Sequence, residues 1–208
     1  QRVAFSSGAT NLDGGHRDGT WDVLVKDLAT GVLINASTSA TGALANWYAY
    51  GGSLSGDGRL VAFESNATNL VAGDTVWTAK IFVKDLGTGW VVNASTNGSG
   101  GQANGESHDG HLSADGQHVV YSSKATNLVA GDANGVQDVF VKNLVTGAVV
   151  NASTDATGVA GNGQSTANSI TADGRAVAFT SAAANLVAND GNGQADIFVK
   201  DLVTGSIV

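Results

Sequence analysis

The fold is decided by the stretch Val119-Val120-Tyr121-Ser122-Ser123-Lys124-Ala125-Thr126-Asn127-Leu128-Val129-Ala130-Gly131-Asp132-Ala133-Asn134-Gly135-Val136-Gln137-Asp138-Val139-Phe140-Val141-Lys142. Two short runs of β-branched and aromatic residues enclose a loop of Gly, Asn and Asp, which reads as strand, loop, strand. The stretch also recurs. Phe5, Phe63, Tyr121 and Phe179 are spaced 58 residues apart, as are Lys26, Lys84, Lys142 and Lys200 and Asn11, Asn69, Asn127 and Asn185. A fixed period of this kind marks a repeat architecture.

Working outward, the third repeat supplies four strand signals. Strand a spans Ser107 to Ser113, and Ala114-Asp115-Gly116 turns the chain into strand b, Gln117 to Ser123. An Asp-Gly step between β runs favours a hairpin because Gly tolerates positive φ. After the loop from Lys124 to Gln137 comes strand c, Asp138 to Leu144, then a turn at Val145-Thr146-Gly147 and strand d, Ala148 to Thr154. A second long loop, Asp155 to Gln164, leads to the next strand a. No segment has a helical period. Short strands at regular intervals predict an all-β fold, and four antiparallel strands per repeat predict a β-propeller of four-stranded blades. A β-solenoid fits less well, since its coils are shorter and lack paired hairpins. The expectation is one propeller domain over 1–208, with blades at about 1–38, 46–96, 104–154 and 162–208.

The phase of the repeat makes blade one lack its innermost strand, because Arg2-Val3-Ala4-Phe5 is already strand b; three strands there and four in each other blade make fifteen. Three explanations are open: a missing terminal segment, a partner chain, a second copy included, that completes the blade, or a fragment of a longer array. Gln1 reads as a processed or truncated end.

Composition narrows the function. A net charge of −8, with only 13% charged residues, argues against nucleic acid, which recruits clustered Lys and Arg. No apolar run reaches membrane-helix length. The absence of Cys excludes disulfides and thiolate metal sites.

The runs Ser55-Gly56-Asp57-Gly58-Arg59-Leu60-Val61-Ala62-Phe63, Ser113-Ala114-Asp115-Gly116 and Thr171-Ala172-Asp173-Gly174-Arg175-Ala176-Val177-Ala178-Phe179 resemble the repeat of TolB-like (WD40-like, PD40) β-propellers. Ile197-Phe198-Val199-Lys200-Asp201-Leu202 resembles the third strand of that repeat. The usual Pro of Ser-Pro-Asp-Gly is replaced by Gly56, Ala114 or Ala172, and the loops are longer. The resemblance implies an extracellular or periplasmic, mostly bacterial protein. It leaves scaffold, binding module and peptidase or lyase partner all open, because fold does not fix function.

An a-b-c-d meander puts the short a–b and c–d turns on one face and the long b–c loops and d–a connections on the other. Binding residues favour long loops on a rigid scaffold, so the long-loop face is the expected working face. Trp21 and Trp77 in b–c loops, with Trp47, Tyr48 and Tyr50 in one d–a connection, are the candidate ligand contacts, for a carbohydrate or a protein. A covering role over Gly-rich loops is the alternative.

Asp132, Asn134 and Asp138 recur as Asp190, Asn192 and Asp196 and could offer oxygens to Ca²⁺; the competing reading is an Asx turn. Blade one has His16, Asp18 and Asp22 there, and blade two has Asp74, Val76 and Lys80, whose ammonium repels a cation. Asn69 and its equivalents fit loop bracing, since a catalytic group has no reason to occur four times. The repeated lysines are expected to reach solvent or a neighbouring Asp. His108, Asp109 and His111 break the repeat and are the candidates for Zn²⁺ or acid–base chemistry in a lyase or hydrolase; residues three apart on one strand point to opposite sides. The only Glu residues are Glu64 and Glu106, and no Gly-x-Ser-x-Gly elbow occurs. The sequons at Asn35, Asn93 and Asn151 repeat with the blades, which favours a structural role.

Overall fold

A computed structural model describes residues 1–12 and 20–208. They form four antiparallel sheets and no helix. The first sheet holds β1 (Arg2–Ser7), β2 (Asp22–Asp27) and β3 (Leu33–Asn35). The second holds β4 (Ala49–Leu54), β5 (Leu60–Ser65), β6 (Lys80–Asp85) and β7 (Val91–Asn93). The third holds β8 (Ser107–Leu112), β9 (His118–Ser123), β10 (Asp138–Asn143) and β11 (Val149–Asn151), and the fourth β12 (Ser165–Ile170), β13 (Ala176–Ser181) and β14 (Asp196–Asp201). Each sheet is a meander in chain order. The architecture is the expected propeller, with strand a absent from the first blade.

Two expectations need correction. The described residues form fourteen strands, not fifteen. The outermost segment of blade four is reduced to an isolated bridge between Lys200 and Ile207, supported by reciprocal backbone bonds between Val199 and Val208 at 2.9 and 3.1 Å. Strands d are also only three residues long. The sequons explain the early stop: the Asn151 side-chain oxygen accepts from Ser153 N at 2.9 Å and Ser153 Oγ at 2.8 Å, an Asx turn that pulls the chain out of the ladder. Asn35 and Asn93 do the same.

At the a–b turns Gly58, Gly116 and Gly174 all have φ near +70° (70°, 69° and 71°), the left-handed conformation that selects Gly. The core lies between blades. Alternate residues of each strand face opposite neighbours, so Val119, Tyr121 and Phe140 pack with Ile81 and Val83 of the preceding blade, while Val120, Val139 and Val141 pack with Val177, Phe179 and Phe198 of the following one. Burying each such side chain contributes about 1.5–3 kcal/mol.

The repeated lysines do something other than expected. Lys84 Nζ donates to the carbonyls of Thr38 and Ser39 at 2.9 and 2.8 Å, just beyond the outer strand of the preceding blade. Lys142 holds Thr96 and Asn97 in the same way, and Lys200 holds Thr154 and Asp155. Each is a polar clamp across a blade junction, and burial lowers the pKa of all three ammonium groups. The Asn residues brace as expected: Asn69 Oδ1 accepts from Asn46 N at 2.9 Å and its Nδ2 donates to Leu44 O at 2.7 Å, tying the b–c loop to the d–a connection. Asn127 and Asn185 repeat the bracket.

Candidate functional site

Antiparallel connectivity places the b–c loops and d–a connections on one face. On it, the five aromatic candidates form one continuous run. Trp21 lies 6.0 Å from Tyr50, and Tyr50 stacks on Tyr48 at 6.0 Å with 16° between the rings. Tyr48 meets Trp47 edge-on at 5.3 Å, and Trp47 meets Trp77 edge-on at 5.7 Å. These separations and angles are those of favourable aromatic pairs. Trp21 comes from blade one and the other four from blade two. Each local reason is different: Trp21 lies over Gly8, where a Cβ would come within 3.3 Å of the indole, whereas Tyr50 is not in the d–a connection as expected but in β4. Pairing of β4 with β5 begins at Ala49 and Ser65, so Tyr50 already lies in the ladder, opposite Glu64.

The run is not buried. Trp21, Trp47, Tyr50 and Trp77 remain 42–57% exposed while already packed on one another. The strip gathers five of the chain's thirteen aromatic residues, whereas six of the other eight are buried in the core.

Tyr50 also lines a cleft of about 600 Å³ between the inner strands, with Glu64, Asp109 and His111. All three inner strands carry bulges: at Gly51-Gly52, at Asp109-Gly110 and at Asn168. The β8 bulge puts Asp109 in the left-handed region, at φ 57°, where Ser122 Oγ donates to its carboxylate at 3.3 Å. His108 hydrogen-bonds Glu64 at 3.0 Å and lies 3.7 Å from Glu106. Its pKa is raised, first by the Glu64 hydrogen bond. His108 is thus drawn to the two glutamates while His111 lines the cleft, and among the described residues no hydrogen bond joins His108, Asp109 and His111 to one another. Nor do three His, Asp or Glu side chains converge there, or anywhere among the described residues, in a metal-site arrangement.

The Asp/Asn loops show turn geometry. Asn134 Oδ1 accepts from Val136 N at 3.1 Å, and Asn134 Nδ2 donates to Asp138 at 2.7 Å and to Gly161 O at 3.0 Å. Asn192 repeats the pattern with Gln194 N at 2.7 Å and Asp196 at 3.0 Å. Asp138 also accepts from Ser153 Oγ at 2.6 Å. Asp132 stands apart: one buried carboxylate oxygen has no hydrogen-bond partner, and burial, then the charge of Asp138, pushes its pKa up to about 6. Asp190 lies in the same loop of blade four. In blade two the equivalent pair is Asp74 with Lys80, an ion pair at 3.1 Å buried on both sides. His16 and Asp18 fall outside the described residues.

Sequence reasoning missed the placement of Glu64 beside Tyr50. The signal was present, since Glu64 interrupts an apolar strand where the other blades have Ser6, Ser122 and Thr180.

No family model matches the chain, and no curated protein matches it. Solved structures do. TolB from Acinetobacter baumannii is similar over 99% of this chain and 40% of its own, at 19% identity and a TM-score of 0.56. The Agrobacterium tumefaciens protein assigned to TolB is similar over 100% of this chain and 60% of its own, at 13% identity and a TM-score of 0.59. The tricorn protease is similar over 99% of this chain and 17% of its own, at 15% identity and a TM-score of 0.60. At these identities the likeness is one of fold: the chain is a β-propeller of the TolB-like kind. It spans two fifths of the Acinetobacter structure's length.

Proposed function

We propose that this propeller is a non-enzymatic binding scaffold whose aromatic run, Trp21–Tyr50–Tyr48–Trp47–Trp77, takes a carbohydrate chain. One observation carries the reading: five aromatic side chains from three separate segments join in tilted, stacked and edge-on pairs, and four of them stay exposed. Sugar rings present C–H faces that lie against such rings while their hydroxyls stay in water, and the rigid sheets below fix the spacing without an ordering cost at binding. The reading invokes no cofactor. An extracellular or periplasmic location goes with it, resting on the TolB-like fold. The same strip serves a protein partner if sugars do not bind. Three of the four tryptophans lie in the run, so intrinsic fluorescence reports occupancy directly. Titration with soluble oligosaccharides is expected to quench or shift it saturably, and Trp47→Ala to weaken binding about ten-fold, the loss of roughly 1.4 kcal/mol typical of an interface aromatic. A blank oligosaccharide panel removes the carbohydrate reading.

A second reading, self-assembly, has its own observation. Ile197 and Val199 on the outer side of blade four are 71% and 44% exposed, whereas their counterparts Val139 and Val141 are 0% and 3% exposed beneath the next blade. Val3 on blade one is 43% exposed where Val61, Val119 and Val177 are all 0%. The two end faces carry the two halves of the internal junction, so a second copy of this chain would fit head to tail. Light scattering that finds only monomer at high concentration would rule this out; an oligomer dispersed by Ile197→Asp supports it.

A further inference from the structure

The aromatic run does not stop at the loop surface. Tyr50 carries it into the inner-strand cleft, and there the chemistry changes. Tyr50 and Glu64 are directly opposed across the β4–β5 ladder, so ring and carboxylate stand side by side, about 5 Å apart at their Cβ atoms. Asp109 lines the same cleft, held at its bulge by Ser122. Among the described residues, no Lys or Arg lines the cleft. His111 lines the cleft as well, and His108 beside it is shared between Glu64 and Glu106. An aromatic face flanked by carboxylates, with no ammonium or guanidinium among its described lining residues, is an arrangement that recognises an organic cation: the carboxylates accept charge-assisted hydrogen bonds and the ring quadrupole attracts the charge.

We propose that the ligand is a glycan bearing protonated amines, a glucosamine-type chain, whose sugar rings lie on the aromatic run and whose amine enters the cleft between Glu64 and Asp109. This rests on the carbohydrate reading above and adds the ligand's charge to it. The chain's own acidity helps, because a formal charge of −8 raises the local concentration of a polycation. A basic peptide could satisfy the carboxylates but would leave the length of the aromatic strip unused.

The test is calorimetric titration of the whole chain at pH 6 and low salt with four probes: a glucosamine hexamer, an N-acetylglucosamine hexamer, a neutral glucose hexamer and tetralysine. The glucosamine hexamer is expected to bind about ten-fold tighter than the two uncharged hexamers, a preference that shrinks with added salt. Asp109→Asn is expected to bring that preference close to unity. Asn tolerates the left-handed backbone at this position, so the variant keeps the fold; Glu64→Gln is the second variant and should act in the same direction. Equal affinity for all three sugars overturns the amine proposal and leaves the carbohydrate reading standing. Tetralysine binding as tightly as the glucosamine hexamer overturns it as well, by showing that charge alone suffices. No binding to any hexamer removes both.

Discussion

Blades two and three are near copies that diverge in one kind of place. Their buried positions correspond one for one: Val61 and Val119, Phe63 and Tyr121, Phe82 and Phe140, Lys84 and Lys142 are all buried. Their long-loop face keeps the Asn69 and Asn127 brackets but diverges at a few side chains. Blade two has Trp47, Tyr48, Tyr50 and Trp77 where blade three has Gly105, Glu106, His108 and Gly135, and it has Glu64 where blade three has Ser122. The strand-c entry also differs, with Lys80 paired to Asp74 in one and Asp138 lying beside Asp132 in the other. What repeats is what holds sheet against sheet. What fails to repeat gathers around one strip and one cleft, and that is where recognition should be sought.

If the buried positions are equivalent in energy as well as place, Phe63→Ala and Tyr121→Ala should each cost about 3–5 kcal/mol, within error of one another. Chemical denaturation measures both, and a large asymmetry would show that one junction dominates the fold. A finer difference lies in the Tyr121 hydroxyl, which is buried without a hydrogen-bond partner and whose pKa burial pushes up. Blade two has Phe63 there. Tyr121→Phe should therefore stabilise the protein, by about 1 kcal/mol, since an unsatisfied buried polar group is lost without opening a cavity.

The smallest effect concerns Asp132. Its folded-state pKa of about 6 lies above the usual carboxylate value, so the folded chain holds this proton more tightly than the unfolded one. Stability from this group is present at low pH and falls as pH rises from about 4 through 6. Asp132→Asn is accordingly expected to raise Tm at pH 7, by on the order of 1–2 °C, and to do nothing at pH 4. Calcium supplies the control. A calcium-dependent rise in Tm that Asp132→Asn abolishes would place an ion in the loop, as a ligand of the folded state alone; unchanged melting leaves the Asp/Asn loops as turns.

The sequence made the scaffold readable because a 58-residue period repeats every constraint several times over. Strand order, the Asp-Gly turns, the Asn brackets and the absent inner strand all follow from it. Three features did not. The lysines clamp carbonyls of the preceding blade, a contact between residues some 45 positions apart that no local pattern encodes. Strand d is cut short by side-chain oxygens competing with the ladder at Asn35, Asn93 and Asn151. The bulges shift the inner-strand register, so simple alternation misplaces residues around Asp109. The five aromatics could be named from the sequence, but their joining into one run depends on how blade one lies against blade two.

The most direct measurement exchanges the decoration and keeps the scaffold. The fourfold variant Trp47→Gly, Tyr48→Glu, Tyr50→His and Trp77→Gly gives blade two the residues of blade three at those positions. Oligosaccharide titration of this variant, alongside its circular dichroism, is predicted to show a native β spectrum and no detectable binding. Undiminished binding by a folded variant would contradict the account, because recognition would then lie away from the aromatic strip.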